Sequence, residues 1–222
     1  MMPITNTVRC QLILILCIAS AKELCFWLWR DQILLNTVLK LLAGTAIFLV
    51  CRVRRPVLRR DWLILIATVL FIIADLVIRG QFLVSGALFF LGHLLLIIYF
   101  MLHKKPAVWG FIIWGVMTAV EAPLMIRLLT IHGFTFAVGC LGALYGSMLV
   151  FMVVCALRQE KFMAAAALLF VISDLFLALY KAFAALQWMH APSILLFYLS
   201  IGIFLLNVRI DGADTMIFKD EK

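Results

Sequence analysis

The chain is divided into apolar runs of about 20 residues by short gaps that carry charge, proline or glycine. A run of this length spans the hydrocarbon of a bilayer as a helix. Only 14% of the residues are charged and the mean hydropathy is +1.18, whereas a soluble domain carries about 25% charged residues. We therefore predict an all-α, polytopic membrane helix bundle, with residues 1–222 as one integral membrane domain. The eight transmembrane helices are predicted at 11–29, 33–51, 61–79, 82–102, 107–126, 134–157, 163–181 and 191–208.

The basic residues between the runs predict the orientation. With eight spans both termini lie on one side, and that side carries 13 Lys and Arg against 4 on the other. Such a bias places both termini in the cytoplasm, in a bacterium at the inner membrane. The arginines from Arg52 to Arg60 are expected to contact anionic lipid headgroups. Because the net charge of +8 lies in these gaps, it indicates topology, and no nucleic-acid partner is expected.

The first run has an alternative interpretation. Arg9, an apolar stretch and then Ala19-Ser20-Ala21 resemble a signal peptide with a cleavage site. Cleavage there would leave seven spans. The run resumes after Lys22-Glu23 with CFWLW and reaches the length of a full span, which favours a retained helix.

Several ionisable residues interrupt the apolar runs. Each costs about 2.5–3.5 kcal/mol at the centre of a bilayer, so such residues are candidates for function. In the predicted orientation most of them fall in one layer, in the non-cytoplasmic half of the membrane, and this predicts a shared polar cavity. The candidates are Lys22, Glu23, Lys40, Asp75, His93, Glu121, Asp174 and Lys181.

Three spacings indicate an internal repeat. Asp75 and Asp174 are 99 residues apart, as are Tyr99 and Tyr198, and Glu23 and Glu121 are 98 apart. The halves, about 11–102 and 107–208, are predicted to be parallel four-helix repeats. Repeats of this kind place a site at their interface.

Structural interpretations stay open beside the functional one. A lone histidine on an apolar helix, such as His93, is often a hydrogen-bonded packing residue. Ion pairs within one helix or one hairpin would neutralise the remaining charges. The candidate pairs are Asp75 with Arg79, Asp174 with Lys181, and Glu23 with Lys40.

Two long motifs carry a resemblance to a known family. They are FIIADLVIRGQFLVSGALFFLGHLLLIIYF, with Asp75 and His93, and LLFVISDLFLALYKAF, with Asp174 and Lys181. With Lys40 and Tyr145, they make residues 33–206 resemble the YhhN-type, lysoplasmalogenase-like family of eight-helix membrane proteins. The chain departs from the family pattern where it has Leu41, Ala74 and Leu96 in place of Pro, Gly and Tyr.

The resemblance implies hydrolysis of the vinyl ether bond of lysoplasmalogens, which yields a fatty aldehyde and a glycerophospho-base. Such a reaction needs a protonated carboxylic acid and a carboxylate, and two carboxyl groups in a low-dielectric cavity provide both. We expect Asp75 and Asp174 to fill these roles. Supporting or substrate-binding roles are expected for Lys40, His93, Tyr145, Ser173, Lys181, Glu23 and Glu121. A lysophospholipid-like substrate in the bilayer is expected, with no cofactor and no metal.

Three rival functions use the same residues. A small proton-coupled secondary transporter would use the paired carboxylates to carry protons. A metal-dependent lipid hydrolase would bind its ion with His93, Asp75 and Asp174, although zinc sites of this kind usually have two or more histidines. In a membrane scaffold the charges would only fix helix pairing.

Overall fold

The computed structural model describes residues 6–29, 32–51, 60–78 and 80–208. Residues 52–59, which include most of the arginines expected at anionic headgroups, lie outside this part. The described residues form eight α-helices and one 3₁₀ helix. Their bounds are α1 Asn6–Leu28, α2 Ile33–Val50, α3 Asp61–Val77, α4 Phe82–His103, α5 Val108–Ile131, α6 Phe136–Ala156, α7 Lys161–Ala182, the 3₁₀ helix Ala184–Met189 and α8 His190–Leu206.

Most of these helices are built to cross a membrane. Seven segments of the described chain are long and apolar enough, namely α1, α2, α4, α5, α6, most of α7, and Leu186–Leu206, which includes α8. Helix α3 is strongly apolar but has 17 residues, fewer than the about 20 of a typical span. The chain is therefore a multi-pass helical membrane protein. The count of eight spans and the cytoplasmic position of the termini stay predictions.

The helix bounds follow the apolar runs to within about five residues, and local chemistry explains the ends of some helices. The Thr135 hydroxyl accepts a hydrogen bond from the Val138 N–H at 3.4 Å and caps α6. Gly133 has φ of 84° in the turn before it, a conformation that glycine adopts without strain. Helix α5 continues through Pro123 to Ile131, beyond the predicted end at 126.

Helix α8 lies at the centre of the bundle, in contact with α1, α2, α3 and α7. Beside it, an aromatic core joins α3, α7 and α8. The ring centroids of Phe71 and Phe170 are 4.6 Å apart, and those of Phe170 and Phe197 are 5.4 Å apart. Gly92 in α4 allows this packing, because a Cβ there would overlap the Phe71 ring. In contrast, α5 contacts only α6 among the described elements.

Helix α1 is part of the packed core. Ile15 and Ala19 are fully buried, and a Cβ at Gly202 of α8 would overlap the Ile15 side chain. Cleavage after Ala21, the alternative considered above, would remove both core residues.

Candidate active site

One cavity is lined by side chains from six of the eight helices. About 560 Å³ of empty space lies among these side chains, and part of it is open to the outside. Asp75 and Asp174 both line it, together with Lys40 and Ser173. The rest of the lining is largely aromatic and aliphatic, from Phe26, Ile78, Phe89, Leu177, Tyr180, Ile194 and Phe197, with His190 and Ser193 as further polar members.

Asp75 is held by a lysine from the neighbouring helix. The Lys40 Nζ lies 2.6 Å from Asp75 Oδ1 and 2.5 Å from the Asp75 carbonyl oxygen. The Tyr198 hydroxyl donates to Oδ2 at 3.3 Å. Lys40 and Asp75 are both buried, at 6% exposure each, so this is a buried and charge-compensated pair.

One of the structural alternatives can now be resolved. Lys40 pairs with Asp75 and not with Glu23, so the alternative of a Glu23–Lys40 pair across the α1–α2 hairpin is wrong. Arg79, the other partner considered for Asp75, lies outside the described residues.

Asp174 has a different environment. The Tyr145 hydroxyl donates to its Oδ2 at 2.6 Å, and His93 Nε2 lies 3.9 Å from the same oxygen. Among the described side chains no lysine or arginine forms an ion pair with Asp174. The side chain of Lys181, the partner considered in the sequence, lies outside the described residues.

The tautomer of His93 follows from its hydrogen bond. Its Nδ1 lies 2.7 Å from the Phe89 carbonyl oxygen, which can only accept, so Nδ1 carries a hydrogen. In the neutral ring Nε2 is then an acceptor, and it has no hydrogen-bond partner among the described residues. It is fully buried and is directed at Asp174.

Glu23 pairs with a histidine that the sequence analysis did not select. His190 Nδ1 lies 2.6 Å from Glu23 Oε1, and Lys22 Nζ lies 3.6 Å from Oε2. His190 begins α8, is 8% exposed and lines the cavity. His190 is therefore a second buried histidine of the bundle, beside His93.

Ser173 connects two helices at the cavity. Its hydroxyl donates to the Ser193 carbonyl oxygen at 2.8 Å, which joins α7 to α8 beside Asp174. The Ser173 hydroxyl therefore bonds to a backbone carbonyl group. Ser173 lies next to Asp174 because the two residues are consecutive in the chain.

Glu121 does not line the cavity. It belongs to α5, which contacts only α6 among the described elements, and a Cβ at Gly146 of α6 would overlap its carboxyl group. Neither carboxyl oxygen has a hydrogen-bond partner in the described part of the chain. The expectation that Glu121 shares a cavity with the other charges is therefore corrected.

Comparison with protein-family models gives a match over residues 35–206 to the YhhN family. The chain belongs to the YhhN family. No curated protein and no solved structure matches it. The match includes both aspartates of this YhhN chain and the partners that hold them. All of α1, with Glu23, lies before it.

The partners of the two aspartates in this YhhN chain come from matching positions in the helix order. Asp75 of α3 is contacted from α2 and α8, and Asp174 of α7 from α6 and α4. If each helix is replaced by the one four places away in the order, α3 becomes α7, α2 becomes α6 and α8 becomes α4. The two sets are then exchanged, as expected for two parallel four-helix repeats. The repeat itself stays a prediction, and Glu23 and Glu121 do not follow it.

The predicted depth of His190 places it at the level of Glu23, although depth alone does not pair the two residues. Helix 8 is predicted to run inward, so its first residues lie at the same level as the end of helix 1, where Glu23 lies.

Groups of three or more His, Cys, Asp or Glu side chains placed to hold a metal do not occur among the described residues of this YhhN chain.

Proposed function

We propose that the chain is a membrane-embedded lipid hydrolase that cleaves the vinyl ether bond of lysoplasmalogens. The observation that supports it most is that two carboxyl groups with different charge compensation line one cavity. Asp75 has a lysine partner, and Asp174 has none among the described residues. Family membership is consistent with the same activity.

The surroundings of the two groups suggest a division of roles that the sequence left open. An acceptor nitrogen directed at a carboxylate oxygen is unfavourable unless one of them carries a proton. His93 Nε2 and Asp174 Oδ2 are in this arrangement. We therefore assign the proton to Asp174 as the general acid, and the charged state to Asp75, beside the Lys40 ammonium group.

The reaction then proceeds in three steps. The Asp174 proton is transferred to the alkene carbon that is not bonded to the ether oxygen. The other alkene carbon and the ether oxygen then form an oxocarbenium ion. The Asp75 carboxylate stabilises this cation and takes a proton from the water that adds to it, and a hemiacetal forms. In its collapse the hemiacetal hydroxyl returns a proton to Asp174, the carbon–oxygen bond to glycerol breaks, and Asp75 protonates the leaving oxygen. Both carboxyl groups recover their starting states, as in glycosidases.

The lining of the cavity suits a single-chain lipid. The vinyl ether joins the tail to glycerol, so the reacting bond lies where an apolar chain meets a polar headgroup. Phe89 and Phe197 line the cavity beside the carboxyl groups, which provides apolar surface for the first carbons of the tail.

The test uses purified protein in lipid nanodiscs with lysoplasmenylcholine, and fatty aldehyde release is measured. Lysophosphatidylcholine, which has an ester, and the saturated alkyl ether are matched controls that should release no aldehyde. Release that persists unchanged in both Asp174→Asn and Asp75→Asn would contradict the proposal. Proton-coupled flux in liposomes without aldehyde release would instead favour the transporter.

A further inference from the structure

His190 is a further polar residue of the cavity, separate from the two aspartates, and Glu23 holds it from α1. The His190 ring is fixed from several sides. Its Nδ1 contacts Glu23 at 2.6 Å, the Phe26 ring stacks on it with centroids 4.3 Å apart, and the Tyr180 ring meets it edge-on at 4.9 Å. With Nδ1 engaged by Glu23, Nε2 is the ring nitrogen left for a ligand.

The charges around His190 favour an anion in the cavity. The ionisable groups that face this region are Lys22 and Glu23 from α1, Lys40 from α2, Asp75 from α3 and Asp174 from α7. Asp174 is assigned above as the neutral acid and adds no charge. With neutral His190 their charges cancel. A doubly protonated His190, which donates one N–H to Glu23 and one to a ligand, adds one positive charge, and a singly charged anion at Nε2 would balance it.

Helix α8 adds to this preference. It begins at His190 and its residue Ser193 also lines the cavity. The N-terminus of a 17-residue helix carries a partial positive charge that favours anions. Lys40, the other cation of the cavity, already contacts the carboxylate and carbonyl oxygens of Asp75.

We propose that His190, oriented by Glu23, binds the phosphodiester of a lysophospholipid headgroup. The substrate class rests on the proposed function. His190 thereby acts in substrate binding, and the protonation of the vinyl ether is left to Asp174. The proposal assigns phosphate recognition to a residue other than Lys40 or Lys181.

Binding is measured by native mass spectrometry with two lipids that share one acyl chain, lysophosphatidylcholine and a monoacylglycerol. The protein should bind the phosphate-bearing lipid more tightly. His190→Gln should weaken that binding roughly tenfold, the loss expected for one charge-assisted hydrogen bond, and leave monoacylglycerol binding unchanged. His132→Gln, at an exposed histidine of the α5 end, is the matched control and should change neither.

Glu23→Gln is the second variant, and it decides the outcome if His190→Gln is not monodisperse. It keeps an acceptor for Nδ1 but removes the charge that supports the imidazolium, so a smaller loss for the phosphate-bearing lipid is expected. Unchanged affinity in His190→Gln, equal loss for both lipids, or no preference in the unmodified protein would overturn the proposal.

The measurement needs no turnover, so it separates the two proposals. Phosphate-dependent binding without aldehyde release would keep the His190 site and contradict the hydrolase. Aldehyde release without phosphate-dependent binding would support the hydrolase and contradict the His190 site.

Discussion

Asp75 and Asp174 lie in similar sequences, IIADL and VISDL, yet their surroundings differ in charge. The first contacts a lysine ammonium group at 2.6 Å. The second contacts a tyrosine hydroxyl at 2.6 Å and faces an acceptor nitrogen of His93. The comparison teaches that a repeated motif can place two identical groups at one cavity while other helices give one of them a cationic partner and the other a hydroxyl and an imidazole.

The comparison predicts the largest difference for Asp174→Asn. Aldehyde release should fall by about 10³-fold, the middle of the range for a general acid. The melting temperature should stay within a few degrees, because a neutral amide replaces a neutral acid that Tyr145 can still contact. The measurements are aldehyde release and thermal unfolding in the same detergent. A variant that is inactive only because it is unfolded would not count as support.

The lysine at Asp75 predicts a large effect on stability. Lys40→Met leaves a buried carboxylate without its partner and should lower the free energy of unfolding by about 3–5 kcal/mol. Asp75→Asn leaves the Lys40 ammonium group without its partner and should lower the free energy of unfolding by a similar amount. The double variant should recover at least half of the summed loss, because neither charge remains. Denaturant titration of the three variants gives the coupling energy. Additive losses would show that the pair is not coupled.

The two tyrosines sharpen the comparison at smaller scale. Tyr145→Phe removes the 2.6 Å hydrogen bond to Asp174 and should lower kcat about tenfold, the value of one good hydrogen bond. Tyr198→Phe removes a bond of 3.3 Å at a carboxylate that Lys40 also holds, so less than about a threefold effect is expected. The ratio of the two kcat values is the measurement, and an inverted ratio would contradict the assigned roles.

The smallest effect is expected at Glu121. Glu121→Gln should change aldehyde release by less than about twofold, because Glu121 lies at the α5–α6 contact and not at the cavity. Its free energy of unfolding should stay the same or rise slightly, since burial of an unpaired carboxylate is costly. Aldehyde release and denaturant stability of Glu121→Gln are measured together with those of Glu23→Gln, the same substitution at a glutamate that contacts a cavity residue. An activity loss equal to that of Asp174→Asn would mean that the site extends to α5.

Much of the fold follows from the sequence, because apolar runs of bilayer length determine where helices begin and end. The predicted layer of charges placed Asp75 and Asp174 at one cavity, and both line it. Depth does not determine position around the bundle. Glu121 was assigned to the wrong neighbours for this reason, since α5 contacts only α6 in the described structure.

The partners of the site could not be predicted for a related reason. The Lys40–Asp75 pair depends on the rotation of α2 against α3, and the Glu23–His190 pair joins residues 167 positions apart. Neither leaves a spacing signal in a single sequence. His190 was also set aside because it lies at the predicted edge of an apolar run, where polar residues are common.

The connection between α7 and α8 has a consequence for how a lipid enters. The 3₁₀ helix Ala184–Met189 leads directly into His190, and Ser173 is bonded to Ser193 across the pair, so Asp174 and His190 belong to one stiff hairpin. Glu23 is carried by α1, which is joined to that hairpin by packing and by the Glu23–His190 contact itself. If a lipid enters through outward tilting of α1, the Glu23–His190 contact breaks while Asp174 keeps its place beside the Ser173–Ser193 hydrogen bond.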